Sequence, residues 1–301
     1  MKDLTLPNTF LIGAQKAATT SVYSWLAQHP EICAPMAVKD YAFFTRDEFY
    51  AKGFSHLSSF YSDETNNEKI VLQGSVHYIF FEKALKRIQE FNPNSKFILI
   101  VRNPIERAIS AYQYALKFNY ENLPIKEAFA KEGERLKDSD VRTLSELTYM
   151  HHGLYYKQIK TFLKYFKEEQ LKVVLYDDVS ENSNQVVKEL FTFLNIDQDF
   201  VPEFKSLNNT GDIKNKTFQK IVFGNGALRN FLVKKVFKSI ISDALKAKLR
   251  WKIIHLNTKE KQSTYLDAID EDLKNELISF FKQDIEQLEN YLSKDLSSWK
   301  I

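Results

Sequence analysis

A single cysteine, Cys33, in a chain of 301 residues leaves nothing for it to pair with, so an internal disulfide is excluded and a reducing compartment fits. Cys33 sits in an apolar stretch and reads as a small buried residue rather than a nucleophile. Only eight glycines and seven prolines are present. No flexible Pro/Gly-rich linker divides the chain, and a glycine at a strand end marks a tight turn or a close backbone approach. No uninterrupted apolar run reaches the ~18 residues of a membrane span. The first residues, Met-Lys-Asp-Leu-Thr-Leu-Pro, lack the apolar core of a secretory leader, which points to a cytoplasmic setting. No Cys/His cluster has metal-ligand spacing, so no metal is expected. The net charge of +3 is too small to argue for a nucleic-acid partner.

What is present begins with Phe10-Leu11-Ile12, a short apolar run that predicts a buried strand. The chain turns at Gly13, and Thr19 to His29 takes helical spacing until Pro30 stops it. A strand, a tight turn and a helix start form a ready anion site, because unpaired N–H groups and the positive end of the helix dipole converge there. Lys16 adds a full charge, and Thr19, Thr20 and Ser21 add hydroxyl donors. This is not a Walker A loop: no second glycine precedes Lys16, and Ala17 stands where Ser or Thr would hold Mg²⁺. On the loop alone, an ordinary strand-to-helix turn with a surface lysine is the competing reading.

A second site of the same type follows Lys96–Val101, the clearest buried parallel strand in the sequence. It runs into Arg102-Asn103-Pro104-Ile105-Glu106, where Asn103 suits an N-cap, Pro104 the first helical position and Glu106 a capping box. In the predicted helix Ile105, Ala108, Ile109 and Tyr112 face inward, with Arg107, Ser110 and Tyr114 on the other side. Arg102 thus lies at the carboxyl end of a central strand, where open parallel sheets bind ligands. Two such sites suit a ligand with two separate anionic groups.

Further strands are predicted at Ile70–Leu72, ending at Gln73-Gly74-Ser75, and at Leu171–Tyr176. Helices are predicted over Phe80–Phe91, Arg142–Phe166, Ser180–Leu194 and Asp270–Leu292, with Trp299 as an anchor for the tail. Asp40, ahead of the aromatics Tyr41, Phe43 and Phe44, is a candidate proton acceptor, and His77 beside a strand end is a reserve candidate. Asp177-Asp178 read as a helix lead rather than as a metal site. Tyr120–Asp140 reads as a polar helical excursion, a lid or acceptor-contacting insertion. Lys214 to Lys252 carries 11 Lys/Arg against one acid, Asp243, and suits a peripheral contact with an anionic glycan or the inner membrane face. Strands alternating with helices predict an α/β fold in a single domain over residues 1–301, with a helical part from about 216 to 301 packing on it.

Gln15-Lys16-Ala17-Ala18-Thr19-Thr20-Ser21, with Leu26 and His29-Pro30, resembles the 5′-phosphosulfate loop of the sulfotransferases that use 3′-phosphoadenosine 5′-phosphosulfate (PAPS). Ile100-Val101-Arg102-Asn103-Pro104, with Arg107-Ala108 and Ser110-Ala111-Tyr112, resembles their 3′-phosphate motif. The likeness is to the heparan-sulfate-type and bacterial branch and continues through Gly153-Leu154-Tyr155 to Asp295-Leu296-Ser297-Ser298-Trp299. It implies a three-layer, P-loop-like nucleotide-binding fold with a central parallel sheet flanked by helices.

It also implies roles. Lys16 would steady the leaving phosphate, residues 16–21 would cradle the 5′ end, and Arg102 and Ser110 would grip the 3′-phosphate. Asn208-Asn209-Thr210-Gly211 with Lys214 and Lys216 would form a loop closing on that phosphate. Asp40-Tyr41-Ala42-Phe43-Phe44 matches Glu-x-His-Phe-Phe, whose glutamate deprotonates the acceptor; here an aspartate takes its place and Ala42 replaces the histidine. Gln73-Gly74-Ser75-Val76-His77-Tyr78 matches Glu-Lys-Ser-x-x-Tyr, with Gly74 where a lysine is common, and Ala18 stands where glycine is frequent. The reaction implied is metal-free sulfuryl transfer from PAPS to a hydroxyl, or an amine, of a carbohydrate or glycolipid acceptor, leaving 3′,5′-adenosine bisphosphate (PAP). A nucleotide kinase with a degenerate P-loop and a non-catalytic nucleotide-binding module are the alternatives.

Overall fold

Apolar runs of five or six residues bounded by turn residues are too short for buried helices and too long to leave in water, and they become strands. The computed structural model describes residues 4–61, 68–138, 140–204 and 269–301, with the two-residue strands 212–213 and 258–259. Its main sheet contains β1 (Thr9–Gly13), β2 (Ile32–Cys33), β3 (Ile70–Gly74), β4 (Lys96–Val101) and β5 (Leu171–Leu175). The order is β2-β3-β1-β4-β5, and every pairing is parallel. The α/β expectation therefore holds. The chain builds β2 and β3 on one side of β1 and then crosses to place β4 and β5 on the other. The carboxyl ends of β1 and β4 thus flank the switch point at which such sheets take ligands.

Among the described residues, six helices run eight residues or longer: α1 (Thr19–Leu26), α2 (Glu82–Phe91), α3 (Pro104–Lys117), α4 (Tyr155–Phe162), α5 (Ser183–Leu194) and α6 (Glu271–Leu292). Among the described residues, no helix is long and apolar enough to cross a membrane. The chain packs as two units, one of Met1–Ala108, Met150–Leu207 and Asp270–Ile301, the other of Ile109–Tyr149 and Asn208–Ile269.

In the first unit Phe10 of β1 stacks on Phe97 of β4 and meets Phe44 edge-on, each at 5.7 Å between ring centres. α6 is capped by Asp270, whose side chain accepts from the Leu273 N–H at 3.0 Å. Farther along α6, buried Asp284 accepts from the N–H groups of Tyr156 and Lys157, both at 3.0 Å. It therefore satisfies the open donors at the start of α4 from another element. Gly153 lies in the same contact: a Cβ there would stand 2.9 Å from both Phe281 of α6 and Pro104 of α3.

Several local expectations change. α1 stops at Leu26 rather than His29, and the His29 ring turns inward, its Nε2 2.9 Å from the Asp197 carbonyl oxygen and its Nδ1 accepting from the Glu31 N–H. The helix expected over Arg142–Phe166 is broken into a short helix at Val141–Glu146, a turn at His151–Gly153 and α4. Asp177 and Asp178 lie in the first turn of a helix over Tyr176–Glu181. Arg107, placed on the outer face of α3 by its spacing, is completely buried. Helical periodicity ranks faces by hydropathy and misplaces a charge that the fold encloses.

In the second unit, the polar excursion expected over Tyr120–Asp140 holds two short helices, Ile125–Ala130 and Glu132–Arg135, anchored by buried residues. Glu121 is buried and accepts from the Asn122 and Leu123 N–H groups at 3.0 and 3.2 Å, from the Tyr149 hydroxyl at 2.9 Å and from Arg135 at 2.7 Å. Burial alone would raise its pKa, yet these donors together hold the carboxyl below the usual glutamate value.

Candidate active site

The loop after β1 is shaped by its backbone. At Gly13 a Cβ would stand 2.9 Å from Ile79, so only glycine passes. The Ala14 N–H donates to the Ile100 carbonyl at 2.8 Å and ties the loop to the end of β4. Lys16 and Ala18 are both left-handed, at φ 70° and 56°. Residues of that hand between right-handed ones gather successive N–H groups into an anion-binding concavity. The first intrahelical bond of α1 runs from the Val22 N–H to the Ala18 carbonyl at 3.2 Å, leaving the N–H groups of Thr19, Thr20 and Ser21 without intrahelical acceptors. Ala18 occupies a conformation that costs a non-glycine residue about 1 kcal/mol, which is the physical reason for glycine at this position in the resembled loop.

Arg102 follows β4 with its side chain 7% exposed. Its guanidinium donates to Glu106 at 2.5 and 3.1 Å and to the Lys16 carbonyl at 3.4 Å, and it lies 4.5 Å over the Tyr176 ring. The two loops singled out from sequence are therefore joined by one hydrogen bond. Glu106 does not close a capping box; its carboxylate turns to Arg102, while Asn103 caps the helix by accepting from the Ile105 N–H at 3.0 Å. The Arg102 backbone is held by Tyr155, whose hydroxyl donates to the Arg102 carbonyl at 2.8 Å and accepts from its N–H at 3.4 Å. Burial pushes the Tyr155 phenol up to about 12, so it stays a donor at any working pH. On α3, the Ser110 hydroxyl is buried with no partner among the described residues.

The segment from Asp40 to Phe44 is fastened to the end of β3. Asp40 is left-handed at φ 65°, and its N–H donates to the Gly74 carbonyl at 2.7 Å. Buried Gln73 donates to the Tyr41 carbonyl and to the Tyr78 hydroxyl, both at 3.1 Å, and that hydroxyl also contacts the Tyr41 carbonyl and the Phe44 N–H. The Asp40 carboxylate is half exposed and pairs with the Lys39 ammonium at 2.8 Å. The Lys39 stem runs over Gly74, in the space that a side chain at 74 would fill.

His77 lies on the next turn, 5.3 Å from His152 between ring centres, with Nδ1 buried and unpartnered among the described residues. Burial pushes its pKa down to about 4; Asp40 acts in the opposite sense, and Arg107 and Lys39 reinforce the fall. The imidazole is thus neutral near pH 7. Between pH 6.5 and about 4 the unfolded chain takes up a proton here that the folded chain refuses, so stability drops as pH falls through that window. Urea midpoints measured across it should fall less steeply for His77→Gln than for the wild-type chain; equal slopes would remove His77 as the cause.

Lys16, Ala17, Ala18, Thr19, Thr20, Ser21 and Arg102 are thus brought to the carboxyl ends of β1 and β4, with Asp40 and His77 beyond the end of β3. Lys214 and Lys216 lie outside the described residues. Tyr155, Lys39 and buried Arg107 were not selected as site residues from sequence. Tyr155 had a signal in the Gly-Leu-Tyr triplet and Arg107 in the Arg-Ala pair of the 3′-phosphate motif.

Comparison with known proteins adds independent weight. The sulfotransferase domain family model matches residues 6–289. The chain is 24% identical over 284 residues to membrane-associated sulfotransferase kil1 of Dictyostelium discoideum, covering 69% of this chain and 60% of that protein. It is 28% identical over 204 residues to bifunctional heparan sulfate N-deacetylase/N-sulfotransferase 4 of Mus musculus, covering 64% and 22%. The chain therefore spans less than two thirds of the length of these curated relatives. Among solved structures, a sulfotransferase from Alicyclobacillus acidocaldarius superposes with a TM-score of 0.68 at 26% identity, covering 99% of this chain and 100% of that one.

Proposed function

The chain belongs to the sulfotransferase domain family, and from that membership we propose that it moves the sulfuryl group of PAPS to a hydroxyl, or an amine, of a carbohydrate acceptor. The observation that carries the reading is the hydrogen bond from Arg102 to the Lys16 carbonyl, which links two anion-binding ends across the switch point of the sheet. A nucleotide phosphorylated at both 3′ and 5′ positions has charges to meet both.

The residues present fit such a donor. The left-handed loop and the open N–H groups of Thr19–Ser21 suit the 5′ end, while Arg102 suits the 3′-phosphate. When bound, PAPS supplies an activated sulfuryl group, and what remains for the protein is positioning and charge stabilisation. Lys16 steadies the negative charge that grows on the departing phosphate. Asp40, a half-exposed carboxylate held by its backbone and by Lys39, takes the acceptor's proton. His77, held neutral at neutral pH by burial, stands beside Asp40 as the reserve candidate for that proton. Acceptor choice follows from relatives whose names specify heparan sulfate. We place the activity in the cytoplasm, with the basic stretch 214–252 reaching acceptors at an anionic surface.

Thermal unfolding with PAP, with AMP and with Mg·ATP tests the reading. A ligand at 100 times its Kd adds about 2.7 kcal/mol, a shift of several degrees for a chain of this size. PAP should give that shift and AMP should not, and Arg102→Ala should remove it. A shift with Mg·ATP alone would transfer the protein to the kinases.

A further inference from the structure

Lys39 carries a charge by an uncommon route. Its side chain is 4% exposed although its partner, the Asp40 carboxylate, is 51% exposed. A pair of this kind could form in water, where neither group would be desolvated. Instead residue 39 bridges to Gly74 in parallel register, and the stem is laid flat across the end of β3. A Cβ at residue 74 would lie 2.9 Å from the Lys39 Cδ and 3.1 Å from the Tyr23 ring of α1, so the path exists only because residue 74 is glycine.

The path leads somewhere specific. Gly74 is in register with Leu11, two residues before the turn at Gly13, and the Ser75 N–H donates to the Leu11 carbonyl at 2.9 Å. Tyr23, which closes the other side of the path, belongs to the helix that the anion loop opens. The enclosed side chain thereby crosses the carboxyl end of β3, the strand beside β1, and its ammonium ends at the candidate base. A desolvated cation with one half-exposed partner is short of negative charge, and an anionic group arriving at the loop would supply it.

We propose that Lys39 is the cation that meets the transferring sulfuryl group, and that residue 74 is glycine to let it through; this rests on the sulfotransferase reading. In the step, the acceptor oxygen bonds to sulfur as the bond from sulfur to the 5′-phosphate oxygen breaks. The acceptor's proton goes to Asp40 and the electron pair leaves with the phosphate. Lys39 keeps its protons and donates hydrogen bonds to the sulfuryl oxygens.

Binding without acceptor tests this, because PAPS carries the sulfuryl group and PAP does not. Titration calorimetry on the full chain should show Lys39→Met binding PAP within about twofold of wild type and PAPS about tenfold more weakly. Gly74→Ala, which pushes the stem aside and keeps the lysine, should show the same selective loss and serves if Lys39→Met does not fold. Unchanged PAPS affinity in either variant, or an equal loss for PAP and PAPS, overturns the proposal. Wild-type protein that binds neither nucleotide instead removes the sulfotransferase reading itself.

Discussion

Lys16→Ala is expected to lower kcat/KM for sulfuryl transfer by about 10²–10³-fold, the loss typical of removing one charge-stabilising donor from a reacting centre. The lysine should act on the bond-breaking step more than on folding. Its carbonyl, not its side chain, holds Arg102, and its side chain is only half buried. The substitution leaves the N–H groups of Thr19–Ser21 in place, so PAP should still raise the melting temperature, though by less than in wild type. Transfer of labelled sulfate from PAPS to an unsulfated glucosamine–uronate polysaccharide gives the rate. Lys16→Arg should fall between the two, since a forked guanidinium replaces a compact ammonium. Loss of rate with full retention of the PAP-induced shift would confine Lys16 to the transition state. Loss of neither would move the leaving-group cation elsewhere.

Asp40→Asn is expected to cost about 10²–10⁴-fold in kcat with nucleotide affinity unchanged, as for the loss of a positioned general base. Asparagine is the stringent choice here. It keeps the shape, tolerates the left-handed φ of 65° and still offers an oxygen to Lys39. What it loses is the ability to take a proton. Asp40→Glu restores the carboxylate with an added methylene and should recover part of the rate. A variant Asp40→Asn that keeps more than about a tenth of wild-type activity would contradict the assignment. His77→Gln, measured alongside, separates the two candidates. If Asp40 is the base, His77→Gln should have a small effect on rate at neutral pH; a larger loss than that of Asp40→Asn would hand the role to His77.

Much of the sheet was legible because its strands are continuous apolar runs closed by turn residues. Lys96–Val101 matches β4 residue for residue, and Leu171–Tyr176 overshoots β5 by a single residue. The anion loop was legible as strand, glycine and helix start, and the helix after β4 as an Asn-Pro cap. What was not legible depends on where the fold carries a side chain. Glu106 has the spacing of a capping box, and only the folded position of the Arg102 side chain draws it away. Arg107 sits on the polar face of its helix by hydropathy, and only the surrounding fold shows that face to be enclosed. Lys39 looks like one more surface lysine until Gly74 is placed beneath it. Sequence periodicity sees the neighbours at three and four residues along a helix and two along a strand; Arg102 and Glu106 do have that spacing, but Arg102 precedes the helix, and Lys39 and Gly74 lie far outside it.

The brace behind Arg102 bears on how the protein is made. Arg102 leans on the Tyr155 hydroxyl; Tyr155 opens α4, whose first turn is capped by Asp284; and Gly153 is wedged between Pro104 and Phe281. The strands and loops of the proposed nucleotide site are synthesised by residue 102, but the part that steadies them is α6, near residue 284. During synthesis, therefore, the early sheet emerges with a binding edge that has no support behind it. Competence to hold the 3′-phosphate should arrive late and abruptly, with the emergence of α6, rather than growing in step with chain length.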